Sequence, residues 1–318
     1  MSMLSSAMQQ LAQGQRHATL ALGGLQLRTL HRVVRRASGV TLATFGSETN
    51  RIDYVARPRS GVPLVGIHGF GGDKETWLMM GALLPRRQAM YFLDLPGHGT
   101  SAMPSTPASI RGHALAVLAL LDHLGIERAI ICGNSMGGGV ALRLATDWPK
   151  RVAGLILIDS VGDDIHQSKV ARSWVTGDNP LIPELDQIDS FMATVLERPL
   201  PVPASLVRYV ATQRALHADK LRQLYRDFVM CDGAAGVPTD IHGVQAPALV
   251  IHGEQDRVIA LRVAQQLVAH LPQAELQVMR GVGHAPQLEA PKPTAALVEQ
   301  FIDRIASADR RRQNDQAR

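Results

Sequence analysis

Apolar runs and stretches of helical period alternate along much of the chain. The apolar runs lie at 62–68, 89–93, 129–132, 155–158, 248–251 and 275–279. Amphipathic segments separate them, among them 109–124 and 258–270, and a last helix is expected around 294–305. Strands that alternate with helices of this length form right-handed βαβ units. The pattern therefore predicts an α/β fold with a mostly parallel sheet flanked by helices.

Two segments depart from this alternation. Residues 40–45 and 51–56 are expected to pair as an antiparallel hairpin at the sheet edge. After the sixth strand, prolines punctuate helical segments from 160 to 245, which predicts a helical cap inserted at one end of the sheet, called the insertion below. The predicted divisions are an N-terminal arm (1–39), a core in two parts (40–159 and 246–306), the insertion (160–245) and a charged tail (307–318).

The composition is globular, with 46% hydrophobic and 19% charged residues. The net charge of +5 belongs to the ends, because residues 1–60 carry eight arginines against two acidic residues. A mildly acidic body with few aromatic residues argues against a nucleic-acid partner.

Targeting signals are not evident in the sequence. Every window of 18 residues contains a charge, so no transmembrane helix is predicted. The first 15 residues lack the apolar stretch of a secretory signal, and a cytoplasmic location is expected. Cys132 and Cys231 are too few for a disulfide scaffold or a structural zinc site.

The sequence Gly133-Asn134-Ser135-Met136-Gly137 follows a predicted strand and opens a predicted helix. This is the G-x-S-x-G context in which a serine sits on a sharp turn with its hydroxyl exposed at the sheet edge. Small residues on either side relieve the crowding of that turn. Ser135 is therefore the candidate nucleophile.

A nucleophilic serine needs a base, and the base needs a carboxylate that orients it. His284 and Asp256 each lie in a loop just after a strand, and the order Ser135, Asp256, His284 is the order that this fold requires. Asp159, after the sixth strand, and Glu254 remain as competing acids. Because parallel strands end at one edge of the sheet, all these side chains are expected to meet there.

The tetrahedral intermediate needs two hydrogen-bond donors for its oxyanion. The backbone N–H of Met136 is expected to supply one, and that of Phe70, in the Gly-rich loop after the third strand, the other. His68 is expected to hold this loop. No metal-binding or phosphate-binding motif accompanies these residues, so chemistry without a metal or cofactor is predicted.

Five motifs together resemble the α/β-hydrolase superfamily: HGFGGDKETW (68–77), DLPGHGTS (94–101), GNSMGG (133–138), HGEQDRV (252–258) and GVGHAPQLEAP (281–291). Within it, NPLIPELD (179–186) and LRTLHRVVRR (27–36) resemble the monoacylglycerol-lipase-like branch and its bacterial lipase relatives. The resemblance implies an α/β-hydrolase fold and hydrolysis of a lipid-like acyl ester.

Two other functions stay open: cleavage of C–C bonds in aromatic degradation products, and ligand binding on a hydrolase fold. The apolar side chains of the insertion are expected to roof an acyl pocket above Ser135: Trp174, Phe191, Met192, Leu196, Val202, Leu206, Val207, Tyr209 and Val210.

The arm is predicted to contain a basic amphipathic helix at 25–37, freed by Gly23 and Gly24 from what precedes it. Its apolar side is expected to hold Leu27, Leu30, Val33 and Val34, and its basic side Arg28, Arg32, Arg35 and Arg36. The apolar side could dock on the body of the protein, or the helix could make a peripheral contact with an anionic membrane.

Overall fold

The computed structural model of this 318-residue chain describes residues 2–162, 179, 181–200, 202–232 and 241–316. Its strands are β1 (Thr41–Phe45), β2 (Ile52–Arg57), β3 (Leu64–Ile67), β4 (Met90–Leu93), β5 (Ala129–Asn134), β6 (Val152–Ile158), β7 (Ala248–Gly253) and β8 (Ala274–Met279). They form an eight-stranded sheet in the order β1-β2-β4-β3-β5-β6-β7-β8. The β1–β2 and β2–β4 pairs are antiparallel, and all other neighbours are parallel.

The helices are α1 (Ser2–Ser38), α2 (Leu78–Leu83), α3 (Ile110–His123), α4 (Met136–Asp147), α5 (Ile188–Val195), α6 (Ala204–Leu216), α7 (Ala218–Asp232), α8 (Leu261–His270), α9 (Pro286–Glu289) and α10 (Pro291–Gln316). Short 3-10 turns at Lys74–Trp77 and Pro149–Arg151 precede α2 and β6. Helices α5, α6 and α7 all lie in the connection between β6 and β7, which confirms the predicted helical insertion after the sixth strand.

The sheet separates two apolar layers because successive residues of a strand face opposite sides. In β5, Ile131 packs in the layer that contains α3, α4 and α8, whereas Ile130 packs in the layer that contains α2 and α10. Strands that are buried on both faces need apolar residues throughout, and β6 is buried at every position. The predicted mostly parallel sheet with helices on both faces is confirmed.

Two predicted helix ends differ from the structure. The helix expected from Val258 begins only at Leu261, since the Asp256 side chain accepts hydrogen bonds from the N–H groups of Val258 and Ile259 and shapes a loop there. The last helix continues to Gln316 instead of ending near Ile305. An ion pair of 2.9 Å between Arg128 and Asp309 ties this extension to the body.

Helix α1 is longer than predicted, with 37 residues and a length of about 55 Å at 1.5 Å per residue. The prediction that Gly23 and Gly24 interrupt it is wrong. Both lie inside the helix, where it crosses α6: a Cβ on Gly23 would collide with the Ser205 carbonyl oxygen, and one on Gly24 would come within 3.1 Å of the Tyr209 ring. The two glycines therefore allow two helices to approach closely.

The predicted faces of α1 are wrong at two positions. Val33 is 57% exposed and lies on the outer side with the arginines, whereas Arg35 turns inward and pairs with Glu75, whose side chain is only 8% exposed. The inner side also carries Ser38, which is fully buried. Contacts with α6 and Glu75 fix the rotation of the helix. Across the described ranges, no helix combines the length and the apolar character needed to cross a bilayer.

Candidate active site

Ser135 lies between the end of β5 and the start of α4. Its φ of 55° and ψ of −121° are rare for a residue with a side chain, and its N–H is held by the Ile158 carbonyl at 3.0 Å. A Cβ on Gly137 would collide with the Ile67 carbonyl oxygen, so only glycine permits this approach of α4 to β3. A non-glycine residue held at positive φ indicates local strain that the surrounding structure enforces. This is the sharp turn that the sequence predicted for Ser135.

His284 and Asp256 are directly hydrogen-bonded, as His284 Nδ1 lies 2.7 Å from Asp256 Oδ2. The Asp256 side chain is fully buried, and its other oxygen accepts the N–H groups of Val258 and Ile259 at 2.7 and 3.0 Å. Burial alone would raise the pKa of Asp256, but the His284 ring and these hydrogen bonds outweigh it and lower the pKa. Asp256 is therefore held as a carboxylate against the imidazole.

Asp159, the competing acid, lies behind this pair. It is fully buried with a φ of 43°, and its Oδ1 accepts the N–H of Gly253 at 2.8 Å. Burial and the charge of Asp256 raise the pKa of Asp159 well above the usual range, which favours its protonated form. The structure brings His284 to Asp256 rather than to Asp159. Glu254, the other competing acid, is exposed.

His252 is a buried neighbour that the sequence did not single out. Its Nε2 lies 3.1 Å from the Ile259 carbonyl, and its Nδ1 lies 3.3 Å from Asp159 Oδ1. Burial lowers its pKa, so the ring is neutral at neutral pH. It packs between the two carboxyl groups.

The Gly-rich loop after β3 lies against the nucleophile candidate. A Cβ on Gly69 would come within 3.0 Å of the Ser135 Cβ. His68 joins two loops, as its Nδ1 lies 2.8 Å from the Gly69 carbonyl and its Nε2 accepts the N–H of Leu95 at 3.1 Å. Phe70 follows in this loop, and Met136 is the first residue of α4. Both predicted oxyanion donors therefore lie in segments adjacent to Ser135.

A cavity of about 480 Å³ opens over Ser135 and His284. Of the apolar residues predicted to roof it, these line its wall: Phe191, Met192, Leu196, Val202, Leu206 and Val210. Tyr209 packs instead against Gly24 of α1. Val207 is not among the lining residues, and Trp174 lies outside the described residues.

Helix α1 supplies a wall of the cavity that the sequence did not predict. Leu27, Leu30, His31 and Val34 all line it. The helical spacing of Leu27, Leu30 and Val34 indicated a buried side, but the sequence carried no signal for what that side faces. The structure shows the arm docked on the body of the protein, which is one of the two roles left open for it.

Asp159, Asp256 and His284 form a group whose ligand atoms lie within 4.8 Å of one another, and no other such group occurs in the part of the chain that the structure describes. Asp256 and His284 hydrogen-bond each other, and burial with the charge of Asp256 raises the pKa of Asp159, which favours its protonated form. This arrangement suits a hydrogen-bonded acid–base pair better than a metal, whose ligands must all be deprotonated.

Comparison with known proteins gives one family and several relatives. Residues 64–297 match the Alpha/beta hydrolase family. The dihydrolipoyllysine-residue acetyltransferase component of the acetoin cleaving system of Pseudomonas putida is 36% identical over 235 residues, which are 72% of this chain and 60% of that protein. The chain thus spans less than two thirds of that relative's length.

Two further similarities extend over more of the chain. The monoacylglycerol lipase abhd6-B of Xenopus laevis is 26% identical over 297 residues, 88% of each protein. The crystal structure of a membrane phospholipase A, described as a bacterial virulence factor, superposes with a TM-score of 0.80 and 26% identity, covering 96% of this chain and 99% of that one.

Proposed function

The chain belongs to the alpha/beta hydrolase family, and from this premise we propose that it is a serine hydrolase of carboxylic esters. The observation that carries the proposal is the meeting of three side chains at one cavity. Ser135 and His284 line it, and Asp256 binds His284 from behind. A nucleophile, a base and a carboxylate that orients the base are the parts that acyl transfer by serine requires.

In the proposed reaction, Ser135 Oγ attacks the ester carbonyl while His284 Nε2 takes its proton. Asp256 accepts the Nδ1–H bond, which fixes the tautomer of the ring and stabilises the imidazolium. The backbone N–H groups of Phe70 and Met136 stabilise the oxyanion of the tetrahedral intermediate. The intermediate expels the alcohol, which receives the proton from His284. Water then attacks the acyl-enzyme by the same steps and releases the acid.

We infer a lipid-like acyl ester as substrate. The lining is predominantly aliphatic and aromatic, contributed by α1, α5 and α6, and the cavity volume falls within the range of about 300–1,000 Å³ that is usual for small-molecule sites. Hydrolysis of a monoacylglycerol and of a phospholipid, the activities by which two relatives are named, both release a fatty acid from a glycerol ester.

The test is a substrate panel of mono-, di- and triacylglycerols, lysophospholipids, nitrophenyl esters of different chain length and a dienoic keto acid, with Ser135→Ala as the matched inactive variant. We expect multiple turnover of glycerol esters by the parent protein and none by the variant. Preferential cleavage of a dienoic keto acid would instead indicate a C–C hydrolase. A single turnover with retained product would indicate a ligand-binding protein.

We further propose that the outer face of α1 contacts an anionic membrane. Leu22, Leu25 and Val33 are 49%, 56% and 57% exposed. The exposed arginines Arg28, Arg32 and Arg36 lie on the same side of the helix. Apolar residues together with arginines on one exposed helix surface suit the boundary between acyl chains and anionic head groups. Such contact places the cavity, whose wall is the inner face of α1, next to a lipid substrate.

This contact predicts salt-dependent binding, because each arginine near an anionic surface contributes about 1 kcal/mol that salt screens. Sedimentation with phosphatidylglycerol vesicles at low and high salt measures it. Replacing Arg28, Arg32 and Arg36 by glutamine should abolish the low-salt binding. The same change at the exposed Arg111, Arg226 and Arg280, which lie elsewhere, should not. Equal binding by both triple variants would contradict the proposal.

A further inference from the structure

Arg214, on α6 of the insertion, reaches the loop that follows β3. Its Nη1 donates to the Gly71 carbonyl at 2.6 Å, its Nη2 to the Phe70 carbonyl at 3.1 Å, and its Nε to the Leu181 carbonyl at 2.7 Å. The guanidinium also lies over the rings of Phe191 and Phe70, at 4.9 and 6.0 Å from their centroids. One side chain therefore joins the insertion to the loop beside Ser135.

The loop that Arg214 contacts is a tight turn. Gly72 donates its N–H to the Gly69 carbonyl at 3.0 Å, which makes Phe70 and Gly71 the two central residues. Gly71 has a φ of +67°, as the third residue of a type II turn requires, whereas a type I turn needs a negative φ there. The two types differ by rotation of the peptide unit between the central residues. The bond from Arg214 to the Phe70 carbonyl holds that peptide unit in one orientation. The Phe70 N–H belongs to the preceding peptide unit, whose Gly69 carbonyl closes the turn, so its position depends on the position of the turn as a whole.

The contact of Arg214 with the loop is one of a cation with neutral groups. Within the described ranges, no carboxylate lies within ion-pair distance of Arg214, and its charge is met by carbonyl dipoles and aromatic faces. Burial lowers its pKa to about 10, which leaves it protonated at neutral pH. A buried cation without an acidic partner carries a desolvation cost, so these carbonyl bonds are strongly favoured over leaving the guanidinium unbonded.

We propose that Arg214 is a positioning residue for the oxyanion hole: by binding the carbonyls of Phe70 and Gly71 it holds the Gly69–Gly72 turn in place, and with it the Phe70 N–H that is to meet the reacting carbonyl. This proposal rests on the proposed serine-hydrolase function and adds that the function depends on the position of the insertion. The oxyanion hole is complete only when the insertion is docked, because the side chain that fixes the turn belongs to α6.

A second contact between the insertion and the core supports the same dependence. The N–H of His284 donates to the carbonyl of Val195, at the end of α5, at 2.9 Å. Glu289 accepts the N–H of Gly283 with one oxygen and that of Glu197 with the other, at 3.0 and 2.9 Å. The insertion thus holds the loop of the proposed base as well as the turn of the proposed oxyanion donor.

The test compares Arg214→Met, Arg214→Lys and the control Arg208→Met on the same helix, where Arg208 is exposed and does not line the cavity. Methionine keeps an apolar stem and removes all three donors. We expect kcat of Arg214→Met to fall at least about 10-fold for short and long esters alike, with little change in KM, because loss of one oxyanion donor costs about 10²–10³-fold. Lysine is a single point donor, so kcat of Arg214→Lys should lie between the values for Arg214→Met and for the parent protein. Arg208→Met should match the parent protein.

An inhibitor that mimics the oxyanion separates positioning from packing. Ser135 Oγ adds to the carbonyl carbon of a trifluoromethyl ketone, and the serine proton moves to His284. The former carbonyl oxygen then lies in the oxyanion hole as an anion. Its inhibition constant should rise in Arg214→Met by the same factor by which kcat falls. Hydrogen exchange measured by mass spectrometry should increase in peptides that span 68–73 and stay unchanged in α6.

Other outcomes overturn the proposal. A loss confined to KM or to long-chain esters, or faster exchange throughout α6, would make Arg214 a packing residue of the insertion. Unchanged kcat and an unchanged inhibition constant in Arg214→Met would show that the turn keeps its conformation without Arg214. Absence of ester hydrolysis by the parent protein would instead refute the proposed function, so the two failures are distinguishable.

Discussion

The two sides of the cavity are held in different ways. On the sheet side, Ser135, Asp256 and His284 are fixed largely by main-chain hydrogen bonds, and each lies in a short motif at the end of a strand. On the helical side, α1, α5 and α6 contribute side chains that are far apart in the chain. The difference indicates that the placement of the three reacting side chains is specified locally, whereas the shape of the pocket depends on how distant helices pack. Changes in the reacting side chains should therefore alter the rate, and changes in the lining side chains of the helices should alter the substrate selectivity. Arg214 is the proposed exception, since it acts on the rate from α6.

The largest effect is expected for Ser135→Ala. Removing the nucleophile should lower kcat about 10⁴-fold or more for every ester, since only binding and the oxyanion donors remain. Thermal unfolding should stay within a few degrees of the parent protein, and reaction with a fluorophosphonate probe should disappear. Residual activity above a few per cent would place the nucleophile elsewhere.

Asp256→Asn should have the next largest effect, lowering kcat by about 10³–10⁴-fold. An amide cannot stabilise the imidazolium and favours the wrong tautomer of His284. Steady-state kinetics on a short nitrophenyl ester measures this loss without involving the helical side. Near-parental activity would show that Asp256 does not orient the base.

Helix α1 offers a comparison of its own, since only its inner face lines the cavity. Leu30→Trp should reduce the space for a long acyl chain, whereas Val33→Trp adds the same bulk on the outside. We expect the ratio of kcat/KM for a long ester to that for a short ester to fall about 10-fold for Leu30→Trp, the scale at which single methylene groups are discriminated. Equal ratios for both variants would show that α1 does not determine selectivity.

The smallest effect on activity is expected for Asp159→Asn. Burial and the Asp256 charge keep Asp159 protonated, so a neutral amide of the same shape should change kcat less than about 3-fold and leave the acidic limb of the pH–kcat/KM profile in place. If Asp159 were ionised in the working enzyme, loss of its charge would move that limb to lower pH.

Asp159→Asn should also change how the stability of the protein depends on pH. Because the pKa of Asp159 is raised on folding, the folded state binds the extra proton, and stability is lost as pH rises from about 4, where the unfolded carboxyl ionises. Asp159→Asn should therefore gain stability relative to the parent protein between about pH 4 and 7. Urea unfolding at both pH values measures the difference.

The sequence predicts the sheet side more completely than the helical side, for a physical reason. The alternation of apolar runs with helical segments predicts β3 to β8, and the G-x-S-x-G motif places Ser135 at its turn. Both features depend on residues that are close in the chain. Arg35, by contrast, turns inward only because Glu75 lies opposite it, and Val33 faces outward because Gly23 and Gly24 fix the rotation of α1 against α6. Arg214 and His252 carry no local signal either, as their partners come from other elements.

One helix, α1, lines the cavity with Leu27, Leu30 and Val34 and presents Arg28, Arg32 and Arg36 to the exterior. Two ligands that both require α1 in this docked position are thermodynamically linked. If an anionic surface binds the docked helix more tightly, a molecule in the cavity must bind more tightly by the same factor, and the reverse holds equally. The apparent affinity for an acyl ligand would then depend on the surroundings of the protein as well as on its pocket.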